Sequence, residues 1–126
     1  MVNRDGRKLN YRIGKVFIAI TSLMNLSRYI KEQVKNGTGG VICVSNMRTV
    51  RYANLHEDYL KVMSESLMNI PDGMPLIWFA RAWGIKDAER TMVPKLFQQM
   101  LDTPENNVKQ FLLGDTEATL NKLVGE

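Results

Sequence analysis

A turn at Pro71-Asp72-Gly73 separates two apolar segments and restricts what the chain on either side can form. Proline restricts its own φ and biases the preceding residues toward extended backbone. Gly73 permits the tight backbone that follows, and Pro75 suits the first turn of a helix. The apolar run at residues 76–80 then predicts a buried helix. The turn therefore places one carboxylate, Asp72, between an extended segment and a helix.

Short apolar runs alternate with amphipathic segments along the 126 residues. Residues 16–20, 41–44 and 110–114 predict buried strands. Helical spacing and capping signals predict helices at 23–35, 47–54, 58–67 and 74–83, one that begins near Pro94, and a last one capped by Asp115 or Thr116. This alternation predicts an α/β fold whose sheet is mostly parallel and carries helices on both faces.

Three candidate polar groups follow predicted strands or extended segments: Asn46, Asp72 and the Gly114-Asp115-Thr116 turn. In open α/β sheets, ligands bind beyond the carboxyl ends of the strands, so we expect Asn46 and Asp72 to share a cleft. Each position also has a simpler structural interpretation. An aspartate beside Gly and Pro usually completes a turn, Asn46 can cap a helix, and Gly114 can form a tight turn.

The sequence excludes several classes of site. One cysteine, Cys43, rules out an internal disulfide, and the single histidine, His56, has no second metal-ligating neighbour in the sequence. Neither a dinucleotide-binding glycine motif nor a P-loop is present, and no motif for reading DNA or RNA is found. We therefore expect no metal, no cofactor and no nucleic-acid partner.

Residues 1–12 form a basic N-terminal segment in a chain of net charge +4. Such a segment suits contact with an anionic membrane surface, although a solvated terminus is the simpler interpretation. No apolar run approaches the ~20 residues that span a bilayer, and residues 1–5 lack the apolar core of a secretory signal. The expected location is the cytoplasm, with contact at the inner face of the cell membrane as a further expectation.

Four motifs in this order resemble the WecG/TagA/CpsF glycosyltransferase family. They are Val44-Ser45-Asn46, the break at residues 54–58, the turn at residues 70–75, and Phe111-Leu112-Leu113-Gly114. The resemblance covers residues 13–126, which we take as an α/β glycosyltransferase-like domain. It implies a Rossmann-like fold. It also implies metal-independent, inverting transfer of N-acetylmannosamine or a related sugar from a UDP-sugar to a lipid-linked acceptor in cell-surface polysaccharide synthesis.

The resemblance also implies roles for individual residues. Asp72 matches the family's general base, and Asn46 matches its pocket asparagine, with Ser45 beside it. Arg90 matches an arginine that can contact the diphosphate, although an ion pair with Asp87 or Glu89 is the structural alternative. Backbone amides after Gly114 can form a phosphate site at a helix start, which the charge of Asp115 opposes.

The chain departs from the family pattern at two places. Val44 stands where the family has threonine, and Val93-Pro94-Lys95 replaces a glycine-x-aspartate motif. The domain also ends one helix after Gly114, so we expect a truncated sheet and a homo-oligomer that covers its apolar edge. A catalytically silent binding or assembly module with the same fold is the alternative, and a sugar-nucleotide enzyme with a soluble acceptor is a third.

Overall fold

The computed structural model describes residues 10–102 and 109–125 as a mixed α/β arrangement. Its elements in chain order are β1 (Asn10–Ile13), β2 (Val16–Ala19), α1 (Leu23–Lys35), β3 (Ile42–Ser45), α2 (Met47–Leu55), α3 (Glu57–Glu65), β4 (Met68–Pro71), α4 (Met74–Ala82), α5 (Val93–Asp102) and α6 (Glu117–Gly125).

The strands form two separate pairs. β1 and β2 make an antiparallel hairpin, whereas β3 and β4 pair in parallel with Ile42 opposite Met68 and Ser45 opposite Pro71. Of the two strand pairs in the described residues, one is parallel and one is antiparallel, whereas the sequence predicted a mostly parallel sheet. The parallel pair is the part that matters for the site, because both of its carboxyl ends lie at one edge.

The hairpin is held against the rest of the fold by two asparagine side chains. Asn54 accepts a hydrogen bond from Lys15 N at 2.8 Å and donates to Ile13 O at 3.3 Å. The turn residue between them is Gly14, with φ +60°, and a Cβ there would lie 2.1 Å from Asn54 Oδ1. Only glycine fits both this backbone conformation and this close approach.

Asn69 makes the second attachment from inside β4. Its Nδ2 donates to Phe17 O of β2 at 2.9 Å and to Met63 O of α3 at 3.1 Å, while its Oδ1 accepts from Ser66 Oγ at 3.0 Å. The side chain is buried. One amide group thus joins both strand pairs and the end of α3.

Apolar side chains pack on both faces of the β3–β4 pair. One cluster joins the hairpin, α2 and α4 through buried residues that include Ile18, Val50 and Leu76, and the other joins Leu26 to Ile70. Tyr11 donates its hydroxyl proton to Leu76 O within the first cluster. Burial raises the pKa of the Tyr11 phenol above its usual value, so the group stays neutral and acts as a donor.

The predicted strand at residues 110–114 is wrong. The structure gives this segment no strand pairing, and Phe111 and Leu113 are 88% and 92% exposed. A strand needs a neighbour for its backbone groups, and the hydrogen bond that ties this segment to α5 instead comes from a side chain, Gln110 Nε2 to Met100 O at 3.1 Å. The apolar composition of a segment does not supply that neighbour.

The predicted helices are confirmed, with small shifts at their ends. Ser22 caps α1 and Thr116 precedes α6, where its hydroxyl accepts from Thr119 N. The predicted break between α2 and α3 falls at His56. Of the basic segment assigned to residues 1–12, residues 10–12 belong to β1, and residues 1–9 lie outside the described part of the chain.

Candidate functional site

The carboxyl edge of the β3–β4 pair brings together the two loops that carry Asn46 and Asp72. Asp72 N donates to Ser45 O at 2.8 Å, which extends the parallel pairing by one residue into the turn. A Cβ on Gly73 would lie 3.5 Å from Asn46 Cβ, so the two loops are in van der Waals contact. The parallel register places both polar residues beyond the strand ends, as the sequence predicts.

Asp72 is the exposed carboxylate at this edge. Its backbone is anchored by the bond to Ser45 O, and buried Pro71 precedes it. Within the described residues, its carboxylate has neither a hydrogen-bond partner nor an ion-pair partner. An anchored backbone with a free carboxylate is suited to accept a proton from a bound molecule.

Asn46 caps α2, which is the structural role that the sequence allowed. Its Oδ1 accepts from Thr49 N at 3.0 Å, and Thr49 Oγ1 accepts from Asn46 N at 3.0 Å, forming a capping box. This cap occupies the oxygen of the amide and leaves its nitrogen without a partner among the described residues. The exposed Nδ2 therefore remains available to donate to a ligand.

A third segment reaches the same edge from the connection between α4 and α5. Thr91 N donates to Pro71 O at 2.8 Å, so this segment lies beside the end of β4. Arg90 is the next residue back and is exposed. The ion pair with Asp87 or Glu89, which the sequence allowed, is not formed in the described part of the chain. The backbone thus brings a cation into the neighbourhood of Asp72.

Helix α4 also begins at this edge. Its N-cap is Gly73, which offers no side chain to the first turn, and Pro75 follows within that turn. The N-terminus of a helix carries a partial positive charge, which favours an anionic group nearby. The edge therefore combines one carboxylate, one free amide nitrogen, one guanidinium in a neighbouring segment and one helix N-terminus.

Gly114 lies apart from this arrangement. No hydrogen bond between described residues links the segment before α6 to Asn46 or Asp72, and a Cβ on Gly114 would meet no atom within 4 Å. Of the residues singled out from the sequence, the structure therefore gathers Ser45, Asn46 and Asp72, brings Arg90 close through Thr91, and leaves Gly114 outside the group.

Two features of this edge could not be expected from the sequence. The side-chain oxygens of Ser45 and Thr91 are buried and have no hydrogen-bond partner in the described residues. Thr91 carries no motif, and a hydroxyl residue between Arg90 and Met92 is unremarkable in a sequence. Its proximity to the Asp72 turn depends on a loop that folds back onto β4, which local pattern does not predict.

A cavity of about 350 Å³ lies at the other end of β4. Its lining includes Lys15, Phe17, Tyr29 and Asn69, and none of the residues gathered around Asp72. Strands rise about 3.3 Å per residue, so Asp72 lies about 10 Å from Asn69 along the chain. The cavity is a second place where a ligand can be sought, and it is distinct from the Asp72 edge.

The described residues offer neither a metal cluster nor a membrane-spanning helix. In that part of the chain, no three His, Cys, Asp or Glu side chains are grouped so that they could hold a metal ion. None of its helices combines the length and the hydrophobicity needed to cross a bilayer.

Comparison with known proteins gives one family. The model described as "Glycosyl transferase WecG/TagA/CpsF family" matches residues 11–126. No curated protein and no solved structure is a significant match. The matched region includes both strand pairs, apart from Asn10 at the start of β1, and every residue of the Asp72 edge.

Proposed function

Because the chain belongs to the WecG/TagA/CpsF glycosyltransferase family, we propose that it transfers N-acetylmannosamine or a related sugar from a UDP-sugar to a lipid-linked acceptor. The product serves cell-surface polysaccharide synthesis in this proposal. The observation that carries it is the free carboxylate of Asp72, anchored at the edge of the parallel pair beside Asn46 and the segment of Arg90. The family establishes glycosyl transfer, and this arrangement supports the more specific reaction.

In the proposed reaction, the Asp72 carboxylate takes the proton of an acceptor hydroxyl as that oxygen bonds to the anomeric carbon. The bond from that carbon to the diphosphate oxygen breaks, and attack opposite the leaving group inverts the configuration. Asn46 Nδ2 donates to a sugar hydroxyl. The Arg90 guanidinium offsets the charge that develops on the diphosphate, so the proposal requires no metal.

Two further residues belong to the proposal. Ser45 lies directly before Asn46 and contacts substrate from the end of β3. In the proposal, the backbone of Gly114, which is open to solvent in the segment before α6, contacts a part of the substrate that extends beyond the Asp72 edge. We also propose that the domain is Rossmann-like and works at the cytoplasmic face of the membrane, with the basic N-terminal residues in peripheral contact with anionic lipid.

A catalytically silent binding or assembly module is the second candidate. It is favoured by Val93-Pro94-Lys95, which replaces the family's glycine-x-aspartate motif and forms the first residues of α5. Helix α5 thus begins directly after the segment of Arg90 and Thr91. A lysine in place of an acid changes the charge beside the proposed donor site, and this change does not favour catalysis.

Titration calorimetry with UDP and UDP-N-acetylmannosamine distinguishes the two candidates. The proposed enzyme binds both, and Arg90→Gln weakens UDP binding at least about tenfold, because a hydrogen bond to a charged group contributes roughly 1.5–3 kcal/mol. Arg28→Gln is the matched control, since Arg28 is an exposed arginine on α1. Absence of heat with either nucleotide contradicts the proposed enzyme and supports the assembly module.

We further propose that the chain self-associates through exposed aromatic side chains of α4 and its C-cap. Leu76 and Ile77 of this helix are fully buried, whereas Trp78 within the helix and Trp83 at its C-cap are 61% and 70% exposed. Burying apolar surface contributes roughly 25 cal/mol per Å², so these indoles favour association. Sedimentation at micromolar concentration should reveal a dimer or larger species, and Trp78→Gln with Trp83→Gln should give a monomer. A wild-type monomer would contradict this proposal.

A further inference from the structure

Two buried hydroxyl groups flank the end of β4, and in the described part of the chain neither has a hydrogen-bond partner. Ser45 is 1% exposed and Thr91 is 3% exposed. Both residues are joined to the same strand end through the backbone. Ser45 O accepts from Asp72 N, and Thr91 N donates to Pro71 O, each at 2.8 Å.

A buried hydroxyl without a partner lowers the stability of the fold, because the group has lost its hydrogen bonds to water. Buried polar groups in folded proteins are therefore nearly always paired, and each exception calls for a physical explanation. Violations of such local rules are expected at functional sites. Here two exceptions lie on opposite sides of one strand end, in residues that are bonded through the backbone to Pro71 and Asp72.

We infer that Thr91 is a further substrate-binding residue, whose hydroxyl hydrogen-bonds one oxygen of the sugar nucleotide while that of Ser45, on the other side of the strand end, binds another. This inference rests on the proposed function. A hydroxyl can both donate and accept, so it suits a sugar hydroxyl as well as a diphosphate oxygen. Since both groups are closed off from solvent here, binding opens the connection between Ala82 and Val93, in which Thr91 lies.

The decisive variant is Thr91→Val, which removes the hydroxyl and keeps a side chain of the same shape. Since the hydroxyl has no partner in the described fold, its loss should leave Tm unchanged or raise it by about 2–6 °C. The Kd for UDP-N-acetylmannosamine should rise about 5–10-fold, the value of one lost hydrogen bond. Thr91→Ser keeps the hydroxyl and should restore binding. Ser45→Ala should behave like Thr91→Val.

UDP alone identifies the oxygen involved. If Thr91→Val weakens UDP and UDP-N-acetylmannosamine equally, the hydroxyl binds the diphosphate; if it weakens only the sugar nucleotide, the hydroxyl binds the sugar. Either result supports the inference. Unchanged affinity for both overturns it, as does a loss that Thr91→Ser fails to restore.

A fall in Tm of several degrees on Thr91→Val also overturns the inference, because the hydroxyl would then have a partner in the unliganded fold, such as a bound water. Failure of the wild-type chain to bind either nucleotide contradicts the proposed function, and the inference with it. Wild-type binding that Thr91→Val leaves unchanged contradicts the inference alone.

Discussion

Substitution of Asp72 by asparagine is expected to lower the rate of sugar transfer at least ~100-fold, the usual contribution of a positioned base. The affinity for the UDP-sugar should change little, because the carboxylate acts on the acceptor hydroxyl in the proposed reaction. Asparagine keeps the size of the side chain and removes its ability to take a proton. The measurement is transfer of radiolabelled sugar by enzyme that carries this segment, with nucleotide affinity measured in parallel.

Asp87→Asn is the matched control for this experiment. Asp87 is also exposed and lies in the connection that carries Arg90. Its neighbour Ala88 is hydrogen-bonded to Arg81 near the far end of α4, so substitution of Asp87 makes the same charge change away from the edge. We expect its transfer rate to stay within a factor of about three of wild type, the effect of a small surface change. Full activity of Asp72→Asn would show that Asp72 is not the base, and equal losses in both variants would point to general electrostatics.

Substitution of Asn69 by alanine is expected to lower the free energy of unfolding by about 2–4 kcal/mol. The buried amide makes three hydrogen bonds, and its loss leaves Phe17 O and Met63 O without that donor. The hairpin also loses one of its two asparagine attachments. Urea denaturation followed by circular dichroism measures the change.

Asn25→Ala provides the comparison for Asn69→Ala. Asn25 is an exposed residue in the first turn of α1, and its hydrogen bond to Ser22 comes from the backbone. Its substitution should change stability by no more than about 0.5 kcal/mol. A loss at Asn69 as small as that at Asn25 would mean that the amide does not hold the hairpin to β4.

Local signals predicted the helices and strand β3 well, whereas the segment that forms β4 was too short to be predicted firmly as a strand. The spacing of Leu26 and Ile30 marks the apolar face of α1, and Pro75 marks the start of α4. Such signals depend on neighbours in sequence. Strand β1 was not predicted, because a short segment that contains Arg12 resembles a basic terminus. Its pairing with β2 depends on the turn at Gly14.

Contacts between distant segments could not be predicted in this way. Residues 110–114 have the composition of a strand, yet strand formation depends on a partner that the described fold does not give them. Asn69 is surrounded in sequence by apolar residues, and its bonds to Phe17 and Met63 arise only when β2, α3 and β4 meet.

The same distinction between local patterns and distant contacts applies to the residues of the candidate site. Asp72 and Asn46 were predictable, because a strand end followed by a turn is a local pattern and parallel strands share one edge. The cap that Asn46 makes with Thr49 was also predictable in kind. Thr91 was not, because its place beside Pro71 depends on the path of the loop between α4 and α5.

The central claim is that the sugar nucleotide binds at the Asp72 edge, and chemical-shift mapping tests it most directly. Titration of ¹⁵N-labelled chain with UDP-N-acetylmannosamine should shift the amides of residues 45–47, 72–74 and 90–92, which surround this edge. The amides that line the cavity at the other end of β4, such as those of Lys15, Phe17 and Ser64, should shift little. Shifts concentrated around that cavity, or no shifts at saturating nucleotide, would contradict the account.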